Sequence, residues 1–319
     1  MISATQIERI VAHAIPRVAL HEATPLGERT VRLDLGGMRP RVLRLPAPPD
    51  PGAGDALAAE ALALSALRAE IDLPLPELFT YEPTAVAGTP YLLMSYLEGM
   101  TLPEALPAMN EEQRYNLGSE LGRLMARIHG YHAPQYGQLS PTHPPSLSQH
   151  GAPGDEPEVP ASDEDRRYIQ ARLDAAMSMA EQLGELDQAD ARQLASWAPD
   201  HVVGTGQPAC LLHGDLRPER ILVRRRERGW ILGGVTGWGC ALTWRPAWDH
   251  VALLEQFPSS DYFSLRVGYG NAYDATTERR YDQLREFALL PFRTIFFLEA
   301  GRPDLAMALL QLVSSHHDH

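Results

Sequence analysis

The run His213-Gly214-Asp215-Leu216-Arg217-Pro218-Glu219-Arg220 carries the residue types most suited to chemistry. Leu211 and Leu212 lead into it, and Ile221, Leu222 and Val223 lead out. That pattern predicts a buried strand, a sharp loop and a second short strand. A carboxylate such as Asp215 on a loop held between buried strands is fixed by its scaffold and open to a cleft, which suits it to chemistry. Other candidates are weaker. Cys210 and Cys240 have no metal-type spacing and are expected as free thiols in core strands. His316, His317, Asp318 and His319 have ligand side chains, but a frayed tail is the expected reading.

The run resembles the catalytic loop of the aminoglycoside phosphotransferase and choline kinase family, whose pattern is His-Gly-Asp-Leu-His-Pro-Gly-Asn-Ile-Leu. His213, Gly214, Asp215, Leu216, Pro218, Ile221 and Leu222 match; Arg217, Glu219 and Arg220 do not. The resemblance implies that Asp215 is the base for a substrate hydroxyl and that Arg220 stands at the metal-binding Asn. It places Arg44 at the family's phosphate-binding lysine and Glu60 at that lysine's helix partner. Tyr91–Gly99 corresponds to the adenine hinge, with Met94 as gatekeeper and Ser95, Tyr96 and Leu97 along the backbone that would receive a nucleotide. Val235-Thr236-Gly237-Trp238-Gly239 aligns with Val-Ile-Asp-Trp-Gly, so Gly237 falls on the second metal ligand. His213 and Asp249 are implied as structural. The segment Glu22–Glu28 corresponds to the phosphate-covering turn and reads as an ordinary hairpin tip, with one glycine and a proline that lacks an N–H.

Arginine has no lone pair to offer a cation, and glycine has no side chain. The resemblance therefore implies a family member without its metal ligands: a pseudokinase that binds a ligand or partner in the former ATP and substrate cleft. A second reading is an active phosphotransferase in which Arg44, Arg217 and Arg220 supply the positive charge that magnesium normally brings. A third is a non-catalytic interaction protein with a closed cleft. No cofactor is assigned: ATP stays open, and magnesium is disfavoured.

The elements expected to position these residues give an α+β, two-lobed protein-kinase-like fold. Residues 1–97 are expected as a small antiparallel-sheet lobe of five strands and one main helix. Residues 98–319 are expected as a mainly helical lobe with the catalytic hairpin at 210–239 and a Pro-rich surface insert at 133–161. Spaced apolar residues predict a helix over Ser3–His13, and strands are expected at Arg17–Leu20, Arg29–Leu35, Arg41–Leu45, Leu78–Tyr81 and Tyr91–Met94. Asp55 is expected to cap a helix reaching Arg68, and Asn110 with Gln113 makes a capping box. The helix after it puts Leu117, Leu121, Leu124, Met125 and Ile128 on one face. Further helices are expected from Ser162, over Asp187–Trp197, and at Tyr262–Tyr273, Tyr281–Glu299 and Asp304–Val313.

The whole chain has 319 residues, 44% of them hydrophobic and 22% charged, as in an ordinary soluble globular protein. A net charge of −13 argues against a nucleic-acid partner. No apolar run approaches membrane-spanning length and no basic-then-apolar leader is present, so no membrane partner and a cytoplasmic location are expected. The partner class left is an unidentified small-molecule or protein ligand.

Overall fold

Ser3 starts the first helix, α1 (Ala4–Ala14), by accepting a hydrogen bond on its hydroxyl from Gln6 N–H at 3.2 Å. Ile7, Ile10 and Val11 on one face of α1 pack with Val31, Leu33, Leu35, Leu43, Tyr91 and Leu93. The structure is a computed structural model that describes residues 3–46, 56–68, 74–84, 89–141, 147–149, 163–182, 189, 209–227, 229–257, 259–272 and 286–309. The chain folds as two units. One comprises Met1–Gln113, Gln138–Pro145 and His213–Leu242; the other comprises Arg114–Gly137, Ser146–Leu212 and Thr243–His319.

In the first unit, α1 is followed by β1 (Leu20–Gly27), β2 (Thr30–Leu35), β3 (Arg41–Arg44), α2 (Ala56–Leu67), β4 (Leu78–Glu82) and β5 (Tyr91–Ser95). The strands make an antiparallel sheet in the order β1-β2-β3-β5-β4. Four of its strands lie where the periodicity places them. The first does not: Arg17 has φ 70°, which no strand accommodates, and the strand begins at Leu20. Glu22–Gly27 is therefore strand rather than hairpin tip, paired with β2 as far as Gly27 opposite Thr30. Register shifts at Leu20/Glu22 and Pro25/Gly27 let this edge strand carry a proline that cannot donate to the ladder. Asp55, the expected cap of α2, lies outside the described residues.

Beyond β5 come β6 (Met100–Thr101), the short α3 (Leu102–Ala105) and α4 (Glu111–His129). The capping box at the start of α4 is present in both directions: Asn110 N–H donates to Gln113 Oε1 at 3.1 Å, and Gln113 N–H donates to Asn110 Oδ1 at 2.9 Å. The five apolar residues expected on one face of α4 are all buried. Then follow β7 (Tyr131–Ala133), β8 (Gly137–Gln138), β9 (Ser148–Gln149), α5 (Asp163–Gln182), β10 (Ala209–Leu212), β11 (Ile221–Arg226), β12 (Gly229–Val235) and β13 (Leu242–Trp244). β12, β11 and β6 form a three-stranded sheet. The expected surface insert begins inside the protein, since Ala133, Tyr136 and Leu139 are buried and Thr243 Oγ1 donates to the Gln135 carbonyl at 2.9 Å. Residues 142–146 and 150–161 of that stretch, Ser162, the helix expected at Asp187–Trp197 apart from residue 189, and the C-terminal histidines lie outside the described residues.

Helices Ala247–Leu254, Ser259–Ala272, Glu286–Glu299 and 303–309 complete the second unit. Arg172 of α5 donates to Glu299 Oε2 at 2.8 Å and lies 4.8 Å and 4.2 Å from the ring centroids of Trp244 and Trp248. Burial opposes its charge, but Glu299 and Tyr168 outweigh that and raise its pKa above the ordinary value. Among the described residues, no helix is long and apolar enough to cross a membrane.

A buried polar knot in this unit carries a pH prediction. Burial, together with the neighbouring His129 and Arg266 against a smaller opposing pull from Asp249, holds the His250 pKa well below the ordinary histidine value. Its Nδ1 is 3.5 Å from the Tyr262 hydroxyl, and its ring meets Tyr269 edge-on at 4.6 Å. The unfolded chain takes up a proton here near pH 6.5 while the folded chain does not, so stability falls as pH falls below that point. The slope from this group is about 1.4 kcal/mol per pH unit until the folded histidine also protonates. Urea midpoints at pH 7.5 and pH 5.5 check this: the midpoint falls in the wild type, and the His250→Leu variant shows a shallower pH dependence.

Candidate functional site

Two loops of the first unit interlock around His213. Its Nε2 lies 3.0 Å from the Thr236 carbonyl and its Nδ1 3.3 Å from Asp215 N–H, which fixes Nε2 as the protonated nitrogen. The ring packs on Trp238 at a centroid distance of 4.7 Å. Thr236 returns the link, donating its N–H to the Arg220 carbonyl at 2.9 Å. The loop turns at Gly214, where φ is 81°, and closes with a 3₁₀ turn over Pro218–Arg220. His213 is buried and ties the Asp215 loop to the Gly237 loop.

Asp215 is held by two arginines. Arg217 Nε lies 2.7 Å from Oδ1, and its terminal nitrogen donates to Oδ2 at 2.9 Å, a two-pronged contact. Arg220 donates to Oδ2 at 3.3 Å. The carboxylate side chain is 24% exposed, against 45% for Arg217 and 34% for Arg220. The Arg220 stem crosses over Gly237, which sits in the left-handed region at φ 85° and ψ 44°. A Cβ at Gly237 would lie 2.8 Å from Arg220 Cδ, 2.9 Å from its Nε and 3.0 Å from its Cζ. Arg220 Nε is buried there, with no hydrogen-bond partner among the described residues.

The expected Arg44–Glu60 pair is present, with an Arg44 terminal nitrogen 2.8 Å from each carboxylate oxygen. Glu60 is fully buried, and it also accepts Trp238 N–H at 3.3 Å. Burial holds its pKa above the ordinary value, against the downward pull of Arg44, the Trp238 N–H and Arg220. The chain's match to known proteins completes the picture. A model of the phosphotransferase enzyme family matches residues 24–287. The chain belongs to that family.

Solved structures of family phosphotransferases agree on the fold. The GDP complex of an aminoglycoside 2'-phosphotransferase-IIIa mutant superposes with a TM-score of 0.62 at 18% identity, covering 98% of each chain. The aminoglycoside phosphotransferase APH(4)-Ia superposes at 0.59 and 16% identity, covering 97% of this chain and 99% of that one. The fold is the protein-kinase-like one of this family, with an antiparallel N-terminal sheet and a helical C-terminal region. A subtelomeric hrmA-associated cluster protein of Aspergillus fumigatus is 28% identical over 100 residues, which is 31% of this chain and 20% of that protein. The match thus spans about a fifth of that relative's length.

The residues present do not fit the family's magnesium. At the two positions that the sequence resemblance implies for the metal ligands stand the guanidinium of Arg220 and Gly237, over which that same side chain lies, and neither offers a cation an oxygen. Glu60 is already taken by Arg44 and Trp238. Among the described residues, no group of three or more His, Cys, Asp or Glu side chains could hold a metal ion.

At the expected hinge, Met94 is buried and faces Val42 of β3. Ser95 N–H donates to the Glu77 carbonyl at 2.8 Å, and Tyr96 N–H donates to the Pro40 carbonyl at 3.2 Å. Both donors are therefore engaged within the protein. Leu97 packs over Gly234, where a Cβ would lie 2.4 Å from its Cδ1. Asp249 lies in the second unit, buried and paired with His129 Nε2 at 3.2 Å. Cys210 is buried as expected, but Cys240 is exposed, because it ends a 3₁₀ turn rather than lying in a core strand. Sequence reasoning missed the Trp238 N–H bond to Glu60 and the passage of Arg220 over Gly237. The signal for the second was that both metal-ligand positions change together.

Proposed function

We propose that this phosphotransferase-family chain is a pseudokinase that binds a ligand or partner and carries out no magnesium-dependent phosphoryl transfer. The observation that carries this reading is the Arg220 side chain, which covers Gly237 and places its guanidinium on Asp215. In metal-dependent transfer the cation neutralises charge developing on the phosphoryl oxygens, and the carboxylate accepts the hydroxyl proton. Arg220 repels that cation, and together with Arg217 it occupies the carboxylate that would act as base. Loss of one strong electrostatic contact raises a barrier by about 3–4 kcal/mol, and here both metal ligands are missing.

The expected result is no magnesium-dependent release of ADP from ATP above the rate of an Asp215→Ala variant, with or without alcohols and aminoglycosides as acceptors. A coupled assay for ADP measures it. Turnover at ordinary kinase rates of about 1–100 per second, abolished by Asp215→Ala, would show the reading to be wrong.

A further inference from the structure

Arg220 and Gly237 are seventeen positions apart in a strand–turn–strand passage, yet the side chain of the first lies over the second. A side chain at residue 237 would meet the Arg220 stem, which passes 2.8–3.0 Å from where its Cβ would be, and the left-handed φ of 85° there favours glycine. Relative to the family pattern, Asn to Arg adds one positive charge and Asp to Gly removes one negative charge. The sum is two, the charge of one divalent cation. We infer that the Arg220 guanidinium is a fixed cation in place of the family's metal, and that this site takes a phosphate-bearing anion without metal. The inference rests on the absence of metal-dependent transfer proposed above.

The local charge agrees. Arg44, Arg217 and Arg220 stand against Glu60 and Asp215, leaving one positive charge in excess. Arg44 and Glu60 are paired at 2.8 Å, so the excess lies on the two arginines that share the Asp215 carboxylate. Each guanidinium has five N–H donors in a fixed fork. Asp215 engages two nitrogens of Arg217 and one of Arg220, and both side chains keep solvent exposure. A second anion that accepts in pairs, as phosphate oxygens do, matches this geometry. A divalent ion carried in on the ligand would face two guanidiniums, so magnesium hinders uptake here.

Calorimetric titration of the full chain tests this, with pyrophosphate and with ADP as probes. Each is titrated in EDTA and again in excess magnesium at matched ionic strength, with sulfate as the control. We expect pyrophosphate or ADP to bind in EDTA and to bind several-fold more weakly in magnesium. Arg217→Gln and Arg220→Gln should each weaken binding about tenfold or more, the usual effect of losing a charged hydrogen-bond partner. The double variant Arg220→Asn/Gly237→Asp should reverse the metal dependence, so that binding needs magnesium. Tighter ADP than pyrophosphate, or the reverse, supports the inference and tells whether a nucleoside or the diphosphate alone is recognised. The inference falls if neither probe binds in EDTA, if magnesium strengthens wild-type binding, if sulfate binds equally well, or if folded arginine variants keep full affinity. Magnesium-dependent turnover is a separate observation that overturns the pseudokinase reading instead.

Discussion

Gly214→Ala is expected to destabilise the protein by about 4 kcal/mol or more, at the extreme of single substitutions. Gly214 has φ 81°, where an alanine pays about 1–2 kcal/mol for its Cβ alone. The larger effect is steric. That Cβ would lie 2.0 Å from the Cys240 carbonyl oxygen, 2.8 Å from the Cys240 carbonyl carbon and 2.5 Å from Leu242 Cδ2. Two of those atoms are backbone, so the contact is relieved only by moving the Trp238–Cys240 turn as a whole. That turn carries the Trp238 N–H bond to Glu60 and the Trp238 ring on His213, which are strained in the same motion. Gly27→Ala is the control, because none of the described residues lies within 4 Å of its Cβ position; it should change stability by no more than about 0.5 kcal/mol. Urea denaturation of both variants measures the difference. A Gly214→Ala midpoint matching that of Gly27→Ala would refute the packing described.

What local sequence could reveal, it did. Ser3 and the Asn110–Gln113 box mark helix starts through bonds made within three residues, and the buried face of α4 follows from helical spacing alone. β1 was misplaced because the proline and glycine of Glu22–Glu28 argue locally for a turn. An edge strand with bulges tolerates them, and the edge position is a tertiary fact. The burial of Glu60 was legible in principle. Its helix, Ala56–Leu67, is apolar all round and therefore buried, so a lone carboxylate in it needs a partner. The partner's strand was legible too, but the Trp238 N–H on the same oxygen was not, since a backbone donor leaves no mark on residue type. Both changes in the metal positions were visible at Arg220 and Gly237. That the first side chain fills the room left by the second depends on where the β11–β12 hairpin brings them.

Glu60→Ala is the second substitution expected to have a large effect, about 3–5 kcal/mol of lost stability. The pair it breaks has one fully buried end: the Glu60 side chain is 1% exposed, and that of Arg44 is 23% exposed. Alanine leaves the Arg44 charge without its carboxylate and the Trp238 N–H without its acceptor. Two further variants separate these contributions. Glu60→Gln keeps a carbonyl oxygen for Trp238 and removes only the charge, so it should destabilise by roughly half as much. Glu60→Ala combined with Arg44→Met also removes the stranded cation and should recover part of the loss, a coupling measurable in a double-mutant cycle. Additive effects across that cycle would mean that the two side chains contribute independently and that the pair does not hold α2 to β3 as a unit. A favourable coupling larger than about 1 kcal/mol would mean that the pair stabilises as a unit. The charge excess at Asp215 would then belong to Arg217 and Arg220 alone, because Arg44 is committed to Glu60.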